Sequence, residues 1–267
     1  MSAPEVTTSP YEQLKNDLGY LQLGRALECF ATIADQAKKE RWSHVAYLAA
    51  VIAEQASATS NRLAARLRFA RFPFRRTIEE FDFEFQPSVD RELVYDLASL
   101  RLIAEGRSIA WLGQPGCGKT HLAVALATLA VEAGYRGCFT TADDMVVTLA
   151  RARIEGTWAA KLRAYTAPTV LVIDDVGLLP MARDAATGFF HVINTRYEKG
   201  VPTLVTSNRS LPSWGELFGD DVVAAAILDR ILHRCVVFNI KGPSWRVKEH
   251  QGLTGGPSPS SNGRQRP

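Results

Sequence analysis

Residues 113–120, Gly-Gln-Pro-Gly-Cys-Gly-Lys-Thr, place glycines, a lysine and a hydroxyl in the order GxxxxGK[ST]. These residue types can hold a phosphate chain. Glycines let the loop turn tightly with its N–H groups pointing inward, the lysine carries a compact charge to the β- and γ-phosphates, and the threonine hydroxyl can ligate Mg²⁺. An apolar run at 108–112 precedes the loop and an amphipathic run at 121–133 follows it, so strand, loop and helix coincide. A chance glycine-rich turn would lack those flanks, and the helix N-terminus adds a favourable dipole. The motif therefore predicts an ATP and Mg²⁺ site formed by Gly113, Gln114, Pro115, Gly116, Cys117, Gly118, Lys119, Thr120 and the adjoining His121.

A second candidate lies where the buried-strand pattern Thr169-Val-Leu-Val-Ile173 ends in Asp174 and Asp175. Acids at the carboxyl end of a parallel strand sit where such sheets bind ligands. Asp174 would hold Mg²⁺ through water, and Asp175 would orient or deprotonate the attacking water. The competing reading is that the two acids cap the following loop. A third apolar run ends in Thr206-Ser207-Asn208-Arg209. Asn208 could contact the γ-phosphate or the lytic water if its strand lies between the other two, or could simply form an Asx turn.

Positioning these groups takes an alternation of strands and helices. Strands are predicted at 108–112, 137–141, 169–173, 203–206 and 236–240 with helices between, which implies a parallel sheet covered on both faces. Thr141-Ala-Asp-Asp144 carries its own helix-start signal, a capping threonine followed by acids. Ahead of this domain, residues 11–71 read as helix, with Leu14, Leu18, Leu21 and Arg25 and then Val45, Leu48, Ala49, Ile52 and Gln55 near helical spacing. Residues 72–90 read as a linker, in which the alternating Phe81-Asp-Phe-Glu-Phe85 forms an extended segment docking on the larger domain. Residues 1–10, and a Gly/Pro/Ser-rich tail at 251–267, are expected to be disordered. The larger domain then spans 91–250.

Composition bounds the rest. At 46% hydrophobic the 267 residues can bury a substantial core, and a net charge of +3 permits nucleic-acid contact without demonstrating it. The four cysteines, Cys29, Cys117, Cys138 and Cys235, form no CxxC or Cys/His cluster and read as reduced thiols rather than a zinc site. The five histidines form no cluster either, and none reads as catalytic. With no apolar leader and no run of about 18 apolar residues, a cytoplasmic protein with no membrane partner is expected.

Taken together, the motif order resembles the AAA+ superfamily in its initiator and helicase-loader branch, and more closely the IstB-type transposition helper ATPases, relatives of the DnaC helicase loader. The residues that carry the resemblance are 113–120, Leu171-Val-Ile-Asp-Asp-Val-Gly177, Arg196-Tyr-Glu, Thr206-Ser-Asn208, Leu228-Asp-Arg230-Ile-Leu-His233, Tyr20-Leu-Gln-Leu-Gly24 and Phe81-Asp-Phe. The resemblance implies an α/β AAA+ P-loop domain with a five-stranded parallel sheet, preceded by a small all-α domain. It also implies that the strand ending at Asn208 lies between the strands leading to Gly113 and Asp174. Asn208 then becomes the sensor residue, and Arg230 an arginine finger completing a neighbouring subunit's site. Asp175 stands where AAA+ proteins generally carry glutamate, which implies slow hydrolysis. Too few residues follow Arg230 for a C-terminal lid domain, so the site must be finished in trans within a homo-oligomer.

The resemblance further implies a regulator of transposition that assembles on duplex DNA with ATP, delivers that DNA to a partner transposase, stimulates it, and is reset by hydrolysis. Two basic groups could contact DNA: Arg62, Arg66, Arg68, Arg71, Arg75 and Arg76, and, after the second strand, Arg151, Arg153, Lys161 and Arg163. A solvated basic helix face is the bland reading of each. An alternative function is a DnaC-like replicative helicase loader working on single-stranded DNA. A small-molecule kinase is disfavoured, since no acceptor pocket is legible.

Overall fold

A computed structural model describes residues 9–177 and 183–248. Residues 1–8 and the tail at 251–267 lie outside the described residues. The chain divides into two compact units, Met1–Arg66 and Leu67–Pro267, the division falling within one long helix.

The first unit is helical: α1 (Pro10–Tyr20), α2 (Gly24–Glu40) and the greater part of α3 (His44–Ala70). Helix starts at Pro10, inside the segment expected to be disordered, because Ser9 Oγ accepts the Glu12 N–H at 3.3 Å and proline suits the first helical position. Leu18, Ala26, Phe30 and Val51 form its small core. From α3, the Gln55 side-chain oxygen accepts the N–H groups of Arg25 and Ala26 at 3.0 and 3.1 Å, satisfying α2 donors that lack intrahelical partners. Val45, Leu48 and Ile52 share the helical spacing but are exposed.

The second unit is built on a five-stranded parallel sheet, β1 (Ser108–Gly113), β2 (Gly137–Thr141), β3 (Val170–Val176), β4 (Thr203–Ser207) and β5 (Cys235–Ile240), in the order β2-β3-β4-β1-β5. Period-two side-chain direction divides its core in two. Ile109, Trp111, Val172, Leu204 and Phe238 face a layer that includes Leu122 and Leu126 of α6 (Lys119–Glu132), with Val94 and Leu97 of α4 (Arg91–Ala98) and Leu102 of α5 (Arg101–Glu105) packed beyond. Ala110, Leu171, Ile173 and Val205 face the other layer. That layer holds α7 (Ala142–Ile154), α8 (Trp158–Thr166), α9 (Arg183–Glu198), α10 (Trp214–Phe218) and α11 (Asp221–Leu232). As predicted, Thr141 caps α7, its side chain accepting the Asp144 N–H at 3.0 Å.

One local expectation fails. Residues 81–86 curl instead of extending, because Asp82 Oδ1 accepts the Phe85 N–H at 2.9 Å and the Asp82 carbonyl accepts the Gln86 N–H at 3.2 Å. The curl buries Phe81 in the core beneath the glycine-rich loop, its ring 4.9 Å from that of Phe83. Side-chain to backbone bonding by an aspartate has overridden the alternating pattern.

Arg196, in the last turn of α9, is fully buried. It donates to the carbonyls of Tyr165, Pro168, Thr169 and Pro202 at 3.0, 2.8, 3.1 and 2.5 Å, and to Thr203 Oγ1 at 2.9 Å. The guanidinium thus joins α9 to the entries of β3 and β4, and burial pulls its pKa down to about 9. Only a planar fork can serve this many acceptors. Arg196→Met should leave several buried carbonyls unpaired and cost about 3 kcal/mol or more. Thermal melting checks this through a fall of roughly 10 °C, with Arg196→Lys recovering only part of it.

Candidate nucleotide site

The glycine-rich loop joins the carboxyl end of β1 to α6, and each of its glycines has φ in the left-handed region: Gly113 at 153°, Gly116 at 80° and Gly118 at 93°. Added Cβ atoms would lie 2.5 Å from the Ile240 carbonyl oxygen, 2.1 Å from Ser244 Oγ and 2.5 Å from Phe81 Cε2 respectively. At Gly113 and Gly118, backbone angle and crowding both exclude a side chain. Lys119 is 5% exposed and its Nζ donates to the carbonyls of Gly113 and Gln114 at 2.9 and 2.8 Å. Burial holds this amine below the ordinary lysine range.

Parallel pairing brings the other groups to the same sheet edge. The β4 strand lies between β3 and β1, as the resemblance implied, so the chain leaves β1, β3 and β4 side by side. Asp174, 7% exposed, accepts on Oδ1 from Thr120 Oγ1 at 2.8 Å and from Thr206 Oγ1 at 2.5 Å. Burial pushes its carboxyl above the usual carboxylate range, and the two hydroxyls partly oppose that shift. Asp175 has φ 54°, and its N–H donates to the same Thr206 hydroxyl at 2.9 Å. The β3–β4 register shifts between Ile173 and Val176, so the strand is irregular where the acids stand. A non-glycine residue in this conformation at a strand end marks a position held by its surroundings.

Asn208 lines a cavity of about 430 Å³ with Gly113, Gln114, Arg209 and Lys241. Its Oδ1 is buried and has no hydrogen-bond partner among the described residues. On the far flank of the loop, Phe81, Phe85, Gln86, Cys117, His121 and Trp245 line a cavity of about 220 Å³. His121 Nε2 lies 2.7 Å from the Thr77 carbonyl, so the imidazole braces residues 77–81 against α6.

Arg230 is not near these groups. It lines a cavity of about 340 Å³ with Gly106, Ser108 and Thr203, at the entry ends of β1 and β4, the sheet edge opposite the loop. There its Nε donates to Asn194 Oδ1, Nη1 donates to the Ala226 carbonyl at 3.0 Å, and the guanidinium sits 5.0 Å over Phe190.

The predicted DNA-contact residues Arg62, Arg66, Arg68, Arg71, Arg75, Arg76, Arg151, Arg153, Lys161 and Arg163 are all exposed. Several already have neighbours: Arg76 with Glu80 at 3.6 Å, Arg151 with Glu155 at 2.9 Å, and Arg153 over Trp158 at 4.7 Å. Motif reading singled out Asp174 and Asp175 but assigned no role to Thr206, whose hydroxyl serves both. That role depends on strand pairing, and the only sequence signal was its place just before Asn208. Residues 243–246 also escaped, since nothing local announces that they return to the loop.

The residues present fit ATP and a divalent cation. The loop excludes Cβ atoms where phosphates would approach, Thr120 and Asp174 converge as hard oxygen donors, and Asn208, whose buried acceptor is unpaired among the described residues, shares a cavity with Gly113 and Gln114. Sheet order and loop together define an AAA+ P-loop ATPase domain. The chain belongs to the IstB-like ATP binding protein family, whose model matches residues 16–252. It is 41% identical to the ATP-binding protein of insertion sequence IS21 from Pseudomonas aeruginosa over 219 residues, 82% of each chain. With the ATP-binding protein of insertion sequence IS5376 from Geobacillus stearothermophilus it shares 40% identity over 86% of this chain and 91% of the relative. Among solved structures, a replication initiator DnaA bound to AMPPCP and single-stranded DNA superposes with a TM-score of 0.56 at 24% identity, covering 68% of this chain and 56% of that one, a likeness of fold.

A proton and a cation held by Asp174 would compete, so the raised carboxyl has a direct consequence. Mg²⁺-dependent ATP affinity should be complete well above that raised value and fall as pH drops towards it, at higher pH than an ordinary aspartate would give. Isothermal titration calorimetry at several pH values checks the trend, and Asp174→Asn should remove both the Mg²⁺ dependence and its pH profile. Gly118→Ala should abolish nucleotide binding in the same assay.

Proposed function

We propose that this protein is an ATP-dependent regulator of transposition whose subunits assemble on duplex DNA, deliver target DNA to a partner transposase and stimulate it, with hydrolysis resetting the assembly. The observation that carries this reading is the division of the ATP machinery between two edges of one sheet. Lys119, Thr120, Asp174, Asp175 and Asn208 gather at the carboxyl edge, while Arg230 stands at the entry edge. A complete site then needs a second copy. Membership of a family whose relatives are proteins of insertion sequences supplies the transposition context.

Within this reading, bound ATP and Mg²⁺ supply the scissile phosphoanhydride and the charge that offsets its oxygens. Lys119 holds the terminal phosphates while Thr120 and Asp174 keep the cation. Asp175 takes the proton of the attacking water, and Asn208 orients that water. Arg230 of the adjoining copy neutralises charge that develops at transfer. Asp175 is one methylene shorter than a glutamate, so slow turnover is expected, rising with assembly or DNA.

Among the described residues no helix is long and apolar enough to cross a membrane. The exposed arginines of α7 with Lys161 and Arg163 of α8 form the basic group that follows β2. In this reading these cations meet DNA phosphates.

Two tests follow. Arg230→Ala and Lys119→Ala should each abolish hydrolysis, the first leaving ATP affinity within about twofold. Mixing the two inactive variants should restore part of the activity, since a mixed pair can hold one intact site; no recovery at any ratio would contradict a site completed in trans. Arg151→Glu with Arg153→Glu should weaken duplex affinity at least tenfold and flatten its salt dependence. Fluorescence anisotropy measures this, and a preference of the parent protein for single strands would favour the helicase-loader reading. Electron microscopy with ATP and duplex should show assemblies that ADP does not support.

A further inference from the structure

Arg230 is held against one face of α9. Phe190, Asn194 and Glu198 stand four residues apart on that helix, so they lie one above another along its surface. The guanidinium sits 5.0 Å over the Phe190 ring, and its Nε donates to Asn194 Oδ1. From α11 itself the Ala226 carbonyl accepts from Nη1 at 3.0 Å. Two hydrogen bonds and an aromatic face thus fix the plane of the group. Its remaining nitrogen, Nη2, makes no hydrogen bond with any described residue.

The Asn194 amide has a second commitment. Its Nδ2 donates to Glu198 Oε1 at 2.8 Å. The neighbours dictate which way the amide points, because a guanidinium offers only donors and a carboxylate only acceptors. Oxygen must face Arg230 and nitrogen must face Glu198. Glu198 also lines the cavity of about 340 Å³ that Arg230 lines, yet the two form no ion pair. A carboxylate bonded to Arg230 would neutralise the charge that a phosphate needs, and would hold it by a stronger, charge-assisted bond. An amide supplies the same geometry and leaves the charge unspent.

We propose that Asn194 is the positioning residue of Arg230: it fixes the guanidinium through Nε, keeps Glu198 engaged on its other side, and so leaves the arginine charge available to the triphosphate of an adjoining copy. The assignment rests on the reading of Arg230 as a cation acting in trans, and goes beyond it by giving a role to a residue that touches no nucleotide. With Nε engaged by Asn194, Nη2 at the end of the fork remains to meet phosphate oxygens. Asn194 acts only through Arg230. Its substitution therefore matters on the copy that lends the arginine and not on the copy that binds the nucleotide.

The test reads which copy feels the change. In a mixture of full-length Arg230→Ala and Lys119→Ala, the first supplies an intact nucleotide site and the second an intact Arg230, and phosphate release by this mixture is the reference. Asn194→Asp added to the Lys119→Ala chain should cut kcat roughly tenfold while KM for ATP stays within about twofold. Added instead to the Arg230→Ala chain, where no guanidinium remains beside it, the same substitution should leave kcat within about twofold of the reference. Asn194→Asp combined with Glu198→Gln on the Lys119→Ala chain keeps a hydrogen bond between the two positions and moves the negative charge against Arg230, so the loss should persist. This pair also carries the test if two acids one turn apart prevent Asn194→Asp from folding. Recovery to the reference level in the pair would overturn the proposal, because the loss would then come from repulsion between the acids. Equal losses from either chain would overturn it as well, since the defect would lie in the fold, and so would an undiminished kcat with Asn194→Asp on the Lys119→Ala chain. Parent-level hydrolysis by Arg230→Ala alone, or no recovery in the reference mixture, would instead strike the trans reading beneath the assignment.

Discussion

A carboxylate removed from water is costly unless its oxygens are met, and the nucleotide site is organised around how Asp174 is met. Hydroxyls from α6 and β4 both donate to Oδ1. Each comes from a different part of the chain, so the bonds form only when β3, β4 and β1 are adjacent and the loop between β1 and α6 is in place. Burial raises the carboxyl while the hydroxyls oppose it, which leaves Asp174 a carboxyl whose charge responds to its surroundings. Thr206 also accepts the Asp175 N–H, so one hydroxyl on β4 arranges both acids at the end of β3. The left-handed backbone at Asp175 and the register shift beside it are the local conformational cost of holding two adjacent acids in different surroundings.

The sheet has two chemically different edges, and its arginines show the difference. Arg196 is sealed beneath the entries of β3 and β4, where five acceptors hold it and no solvent reaches it. Arg230 stands near the same edge, but bonds a side-chain amide and one helix carbonyl and faces an open cavity. Arg196 fastens the scaffold. Arg230 keeps one side to that cavity, lined also by Gly106, Ser108 and Thr203. Parallel strands force this arrangement, because every loop at one edge follows a strand and every loop at the other precedes one.

Much of this was legible in advance, for identifiable reasons. All five strands lie within a residue or so of the predicted runs, except that β3 continues through both aspartates to Val176. Buried parallel strands announce themselves as short apolar runs between helices. The α7 cap was legible because Thr141 and Asp144 act over three residues. Local patterns misled where a longer-range or competing bond decided the outcome. Phe81, Phe83 and Phe85 alternate like a strand, but Asp82 curls the segment, and Val45, Leu48 and Ile52 follow a helical period yet stay exposed.

Residue type and spacing alone determined the phosphate loop, the acids after the third apolar run and the class of nucleotide, because those depend on contacts within a few residues of chain. Tertiary structure decided which strand lies between which, and hence that Thr206 reaches Asp174, that Asn208 shares a cavity with Gly113, that Arg230 stands at the opposite edge, and that residues 241–248 cross the loop. Each of those placements depends on the sheet bringing together segments distant in sequence. Register between strands is a property of the folded sheet, and no window of sequence contains it.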